Sequence, residues 1–271
     1  MSRSSLLIAL FLLIVATVGC SMLRAKRRLT WHVTLEVDTS FSDHDAAIKQ
    51  TINLIERRLD GAAVTNFEVS PQNPTGAVTR IVVNLPDVQD RERLRNILTA
   101  GGKLEIDGVV SPPNPEPPRI YESQEAALAS LNSGGTIPPN RRLMVYPHNN
   151  LGLLQKDWVV VESPVLVDGG ELRNAVAVPE TGGSSNYNIE FSLKRGGAAK
   201  LSDWTAANIN RYLAVVVNEQ VLSLAYVKSQ ISDVGVISGH FTKSSAEDLA
   251  LVLKSGSYPA PVRFVEEGEN R

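Results

Sequence analysis

Leu29, Trp31, Val33, Leu35 and Val37 alternate with Thr30, His32, Thr34, Glu36 and Asp38, the period of two that a half-buried β-strand imposes on its side chains. The period then changes to 3.6. Ile48, Ile52, Ile55 and Leu59 fall on one helical stripe, with Ser42 and Asp45 as a capping box and Gly61 as the stop. Phe67 and Val69 predict a second strand, Pro71 to Gly76 a turn, and Ile81, Val83 and Leu85 a third strand, together a hairpin. Asp90 caps a helix carrying Leu94, Ile97 and Leu98, Gly101-Gly102 ends it, and Leu104 with Ile106 begins a fourth strand. The order β-α-β-β-α-β predicts an α+β, ferredoxin-like base over residues 29–110, with two helices on one face of an antiparallel sheet.

Five of the eight residues Ser111 to Pro118 are proline, so the backbone lacks donors and favours an extended, semi-rigid spacer. Residues 111–157 read as linker and poorly specified chain, with one short helix through Ala127, Leu128 and Leu131. An inserted head follows over 158–258. It opens on Trp158 to Val161 and has a strand through Tyr187, Ile189, Phe191 and Leu193, which Gly196-Gly197 terminates. After a helix through Leu201 and Trp204, Tyr212 to Val217 and Val221 to Val227 form an antiparallel pair turned at Asn218 to Gln220. The first arm is apolar throughout, as expected of a central strand. Val236 to Ser238 is a short strand, and Thr242 or Ser244 caps a helix that buries Ala246, Leu249, Ala250 and Leu253. Residues 259–271 return a strand, Val262 with Phe264, to the base, and Glu266, Glu267 and Glu269 read as a solvated end.

Ahead of this body, Ser4 to Leu23 carries no charge and Leu6 to Ala16 is nearly all aliphatic. Residues 1–23 therefore read as a signal peptide or membrane anchor. Ala16-Thr17-Val18-Gly19-Cys20 looks like a permissive bacterial lipobox, which makes Cys20 the candidate lipidation site, with an uncleaved helical anchor as the alternative. Either way the expected partner is membrane lipid, and the body is placed outside the cytoplasm. Arg24, Lys26, Arg27 and Arg28 follow the apolar run and pull toward the opposite orientation.

Composition narrows the function classes. With 271 residues, 43% of them hydrophobic and 21% charged, the chain is long and apolar enough for two modest folded units. A net charge of −2 offers no basic surplus for nucleic acid. One cysteine and four scattered histidines provide neither a disulfide framework nor metal-ligand spacing. No phosphate-binding glycine loop, nucleophile elbow or HExxH occurs, so neither enzyme nor cofactor is expected. The charged helix residues Glu56, Arg57 and Arg58, and those of Arg91 to Arg95, read as solvent faces.

Several stretches resemble the large periplasmic domain of the protein-export membrane protein SecD. Ile55 to Asp60 is similar to its "I..R.D" helix end, and Ile81 to Val88 with Asp90 to Arg93 is similar to its strand, "LPGV" turn and helix. Ile237-Ser238-Gly239-His240-Phe241-Thr242, Ala246 to Gly256 and Pro259-Ala260-Pro261 look like "ISGNFT..EA.DLA.VLRSG.LPAP". Leu213 to Asn218 with Val221 to Ser223 resembles the "LAIVLDG.V.SAP" hairpin, although Asn218-Glu219-Gln220 stands where Asp-Gly is usual. The family's "DLRGG" entry is replaced by Arg24 to Leu29, and its transmembrane bundle has no counterpart after Gly256.

The resemblance implies a membrane-tethered export accessory without its own proton-driven motor, handling unfolded or emerging polypeptides beside the Sec translocon or SecDF components. Tyr226, His240 and Phe241 of the head are the candidate polypeptide-contact residues. A structural or scaffolding envelope lipoprotein that reuses the fold is the alternative.

Overall fold

The computed structural model describes residues 28–270 apart from 39, 41–42, 73–77, 114, 151–152 and 183. The anchor segment, Cys20, Ser42 and most of the turn before Val78 lie outside the described residues. Among the described residues the fold is mixed α+β, with three sheets.

Strand β1 (Leu29–Asp38) is central in a four-stranded sheet, flanked by β3 (Val78–Pro86) and then β2 (Glu68–Gln72) on one side. Its alternation works as the pattern predicts, for Trp31, Val33, Leu35 and Val37 are all fully buried. Helices α1 (His44–Gly61) and α2 (Arg91–Thr99) cover the sheet with Ile48, Ile55, Leu59, Leu94 and Leu98. The N-cap of α1 is Asp43, which accepts from the Ala46 amide at 3.3 Å; Asp90 caps α2, accepting from Arg93 N–H at 2.9 Å.

The strand expected to complete this sheet does not do so. Strand β4 (Leu104–Gly108) crosses into a second, six-stranded sheet, where it pairs with β10 (Tyr212–Val217) and β7 (Val167–Asp168). Leu104 and Ile106 are drawn there because they pack on Leu213, Val215 and Leu193 in a larger apolar cluster. The place beside β1 is filled instead by β13 (Val262–Glu269), antiparallel, with Val37 opposite Val262 and Trp31 opposite Glu269. Glu266, Glu267 and Glu269, expected as a loose end, are thus ladder residues on an edge strand, where charge also discourages further pairing.

The chain from 119 to 156, expected to be poorly specified, contains α3 (Gln124–Ser130), capped by Ser123, then β5 (Arg141–Asn150) and the start of β6 (Leu153–Glu162). These two strands form a long hairpin, and β5 joins β11 (Gln220–Tyr226) in the six-stranded sheet. That sheet curls until its far side meets β6: Val109 bridges to Val161, and Val110 N–H donates to Val160 at 2.9 Å. Met144, Val159, Val161, Ala214, Val216 and Val221 fill the inside of the curl. Buried along its whole length, β10 is the central strand its sequence predicts.

The third sheet has β9 (Tyr187–Leu193) between β8 (Leu172–Pro179) and β12 (Val234–Phe241), all antiparallel. Helices α4 (Arg195–Ala207) and α5 (Lys243–Ser255) contribute Leu201, Ala246, Ala250 and Leu253 to the core this sheet shares with the second. Gly196 and Gly197, expected to end β9, lie in the first turn of α4. A Cβ on Gly197 would meet Glu171 Cβ at 2.6 Å, and its N–H donates to Glu171 Oε2, so close approach explains the glycine. Thr242, rather than Ser244, caps α5.

Candidate functional site

Two chain crossings join the four-stranded base to the rest, 100–103 outbound and 256–261 on return. Arg58, on α1, ties both. Expected on a solvent face, it is wholly buried instead. Its Nη1 donates to the Ile97 and Ala100 carbonyls at 2.9 and 2.5 Å, and its Nη2 to Gly256 at 3.1 Å. Its guanidinium lies 4.2 Å from the centre of the Tyr258 ring. The carbonyls of Ile97 and Ala100 at the end of α2 are acceptors that no further helical turn uses, and a cation suits that negative end. Burial pulls the Arg58 pKa below its ordinary value. Burial also pushes the Tyr258 phenol up to about 12, so this hydroxyl stays protonated and donates to the Leu98 carbonyl at 2.6 Å. The crossings themselves touch where Tyr258 N–H donates to Gly101 at 3.1 Å.

Nearby, Arg93 on α2 holds Asp248 on α5 through Nε and Nη2 at 2.6–3.0 Å. This hydrogen bonding raises the Arg93 pKa further. A cleft of about 670 Å³ opens beside the crossings, lined by Lys103, Glu219, Pro259, Pro261 and Arg263 among others.

β8 and β12 are the edge strands of the three-stranded sheet, each pairing with β9 alone, and α5 packs along β8 so that Ala175 is buried. Leu193 N–H donates to Asp233 at 2.8 Å on the β12 side, and Glu180 N–H to Asn186 at 2.9 Å on the β8 side. Alternation of the antiparallel ladder from those bonds turns the N–H and C=O groups of Val234 and Val236 away from β9 at one edge. At the other edge it turns outward those of Ala175 and Ala177. Val176, Val234 and Val236 are 40%, 43% and 45% exposed, an apolar fringe along both edges.

The residues singled out in the sequence have separate partners. Tyr226 stands at the end of β11, its ring 5.7 Å from that of Tyr212 and its hydroxyl donating to Asn210 Oδ1 at 2.6 Å. His240 and Phe241 end β12 beyond a bulge; His240 is exposed at φ +52° with Nδ1 3.3 Å from Asn186 Nδ2, and Phe241 packs on the core shared by the second and third sheets.

Sequence reasoning missed a buried polar cluster. Glu105 and Asp107, alternate residues of β4, point into the curl, where Arg142 of β5 donates to both, at 2.9 and 2.5 Å. Lys103 pairs with Glu105 at 2.8 Å. Burial raises Glu105, but Lys103 and Arg142 together outweigh it and hold the carboxyl below its ordinary value. For Asp107 burial wins over Arg142, with Glu105 adding repulsion, and its pKa is pushed up to about 6. Acidic residues at positions i and i+2 within an apolar strand were the available signal. Among the described residues, no group of three or more His, Cys, Asp or Glu side chains is placed to hold a metal.

The chain thus builds a base with an interposed two-sheet head, cross-braced at two crossings. Its sequence matches the family model for the SecDF P1 head subdomain over residues 144–260 and that for the N-terminal P1 domain of protein translocase subunit SecDF over 48–111. The chain belongs to the SecD family.

It is 31% identical over 224 residues to protein translocase subunit SecD of Koribacter versatilis, and 30% over 220 residues to that of Aquifex aeolicus. Those alignments cover 82% and 81% of this chain but 39% of each relative. A crystal structure of SecDF in its super-membrane-facing form is 22% identical with a TM-score of 0.64, over 97% of this chain and 34% of the other. A structure described as a membrane component SecDF that enhances protein export gives 0.61 at 22% identity, over 87% of this chain and 98% of the other. These likenesses extend to the fold.

Proposed function

We infer that this chain acts in Sec-dependent export as a membrane-tethered, extracytoplasmic accessory that binds translocating or newly exported polypeptides. The observation that carries this is the apolar-fringed edge of β12 on the head, where Val234 and Val236 are exposed, on a chain whose relatives are translocase subunits. An unfolded client offers what a bare edge lacks, a row of unpaired backbone donors and acceptors, and main-chain pairing accepts many sequences. The base we read as a ferredoxin-like unit in which β13 takes the place expected for β4; it serves as the platform from which the head reaches.

The tether is assigned to residues 4–23, either through acylated Cys20 or as an uncleaved helix. Among the described residues no helix is long and apolar enough to cross a membrane, so force on the client would come from outside them. The partners are the translocon or SecDF components and the client, with Tyr226, His240 and Phe241 as candidate contacts.

Photocrosslinkers at Tyr226 and His240, in cells exporting a slowly translocated precursor, test the reading. Adducts with that precursor or with translocon subunits are expected, and recovery of neither would overturn it. Mass spectrometry of the native amino terminus settles how the chain is held.

A further inference from the structure

A cleft of about 390 Å³ lies between α1 of the base and the head. Leu54, Leu172 and Leu253, all buried, form its floor. Its rim carries Arg57 from α1, Lys254 from the last turn of α5, and Lys194, the head residue that precedes α4. Among the described residues no acidic side chain lines it, although acidic residues outnumber Lys and Arg in the chain by 29 to 27.

We propose that this cleft is an anion site, and that its ligand is a phosphate group borne on a small hydroxylated skeleton, as in glycerol phosphate.

The cations are held in place yet unneutralised. Arg57 Nε donates to the Asn53 carbonyl at 3.3 Å, which fixes the guanidinium and leaves both Nη groups to a ligand. Lys194 Nζ donates to the Gly170 carbonyl at 2.7 Å, which keeps the ammonium at the rim with two further donors. Among the described residues none of the three pairs with a carboxylate.

The acids that flank Gly169 and Gly170 are already engaged. Asp168 accepts from Gly170 N–H at 2.7 Å, and Glu171 from Gly197 N–H at 3.0 Å and from Lys200 at 3.3 Å. Carbonyls at the end of α5 would repel an anion, but those of Val252 and Leu253 accept from Gly256 N–H at 3.2 and 3.1 Å, and that of Gly256 accepts from Arg58.

Phosphate offers three acceptor oxygens, enough to meet a guanidinium and two ammonium groups together, where a carboxylate offers two. The volume lies within the range of pockets that enclose an organic ligand. Gln50, Asn53 and Ser257 present amides and a hydroxyl to the rest of the molecule, which suits a hydroxylated skeleton. Because Arg57 belongs to the base and Lys194 to the head, such a ligand bridges the two. The assignment is independent of the client function inferred above, and either can fail without the other.

The test uses the full chain in nanodiscs of phosphatidylcholine, titrated with glycerol 3-phosphate, inorganic phosphate and glycerate, and followed by calorimetry and thermal unfolding. We expect glycerol 3-phosphate to bind most tightly and to raise the unfolding midpoint. Arg57→Gln and Lys194→Gln, both at exposed positions, should each weaken it about three- to tenfold. Lys254→Gln repeats the test where either variant unfolds, and Lys243→Gln, outside the cleft, should change nothing.

Discs containing phosphatidylglycerol identify the source of the phosphate. Loss of glycerol 3-phosphate binding there, with a raised midpoint before any ligand is added, assigns the cleft to a lipid headgroup; unchanged binding assigns it to a soluble compound. Either result upholds the site. Absence of binding by both phosphate compounds overturns it, as does binding that the cleft variants leave unchanged, or glycerate binding as tightly as glycerol 3-phosphate.

Discussion

Arg93 and Asp248 are 155 residues apart in sequence, yet the guanidinium of one meets the carboxylate of the other in a fork, Nη2 to Oδ1 at 2.6 Å and Nε to both oxygens at 2.9 and 3.0 Å. This pair pins α2 of the base to α5 of the head. Both side chains are partly exposed, so water screens them, but two-point geometry makes such pairs stronger than single surface contacts. A double-mutant cycle of Arg93→Ala and Asp248→Ala should give a coupling of about 1 kcal/mol. It should shrink as salt is raised. Coupling that is absent, or indifferent to salt, would show that the fork contributes no stability.

Arg58 calls for a larger effect. Its removal leaves the carbonyls of Ile97, Ala100 and Gly256 without their donor in a buried place. Arg58→Met keeps much of the volume and should still cost about 3 kcal/mol or more in denaturant unfolding. Arg58→Lys should rescue little, because an ammonium cannot span carbonyls on two separate crossings as a planar fork does. Full stability in the lysine variant would mean that charge alone, not the fork, holds the junction.

Local periodicity made the elements legible but left their partners hidden. The alternation at Trp31 to Val37 and the stripe through Ile48, Ile55 and Leu59 follow from backbone geometry, which sets a period of two or of 3.6 that any short window reveals. Whether β4 joins β1 or β10 depends on residues more than a hundred positions away, and nothing within Leu104 to Gly108 encodes it. Arg58 was readable in principle, since it stands three residues after Ile55 on the buried stripe, where an arginine must find acceptors. The charge of Glu266, Glu267 and Glu269 disguised a strand as a tail. The candidate site was least legible of all, because an open edge is defined by the absence of a neighbour and only topology shows it.

The turn between β10 and β11 holds Asn218 and Glu219 at φ +49° and +64°. Both are left-handed, as a tight hairpin turn requires. Asn218 suits its place, accepting from Lys103 N–H at 3.0 Å through Oδ1, but glutamate is strained in this conformation. Glu219→Gly should therefore raise stability by about 1 kcal/mol, whereas Asn218→Ala should lower it. A destabilised glycine variant in thermal unfolding would show that the Glu219 side chain contributes more than its backbone costs.

Asp107 sets the sign of a pH effect that runs against the usual acid loss of stability. Its folded pKa of about 6 lies above the ordinary 3.8, so between those values the folded chain holds a proton that the unfolded chain has released. Stability from this group is therefore gained as pH falls from about 6 toward 4 and is lost again as pH rises through 6, by roughly 2–3 kcal/mol in all. Glu105 works the other way, since its lowered pKa makes its contribution disappear only as pH falls below the ordinary carboxylate range. The charged groups facing Asp107 are Glu105 and Arg142, and Arg142 keeps Glu105 as a partner when Asp107 is neutral. Asp107→Asn should therefore flatten the slope between about pH 4 and 6 and leave the chain at least as stable as wild type at neutral pH. Urea unfolding across that range checks it: an unchanged slope in the asparagine variant would assign the effect to another group.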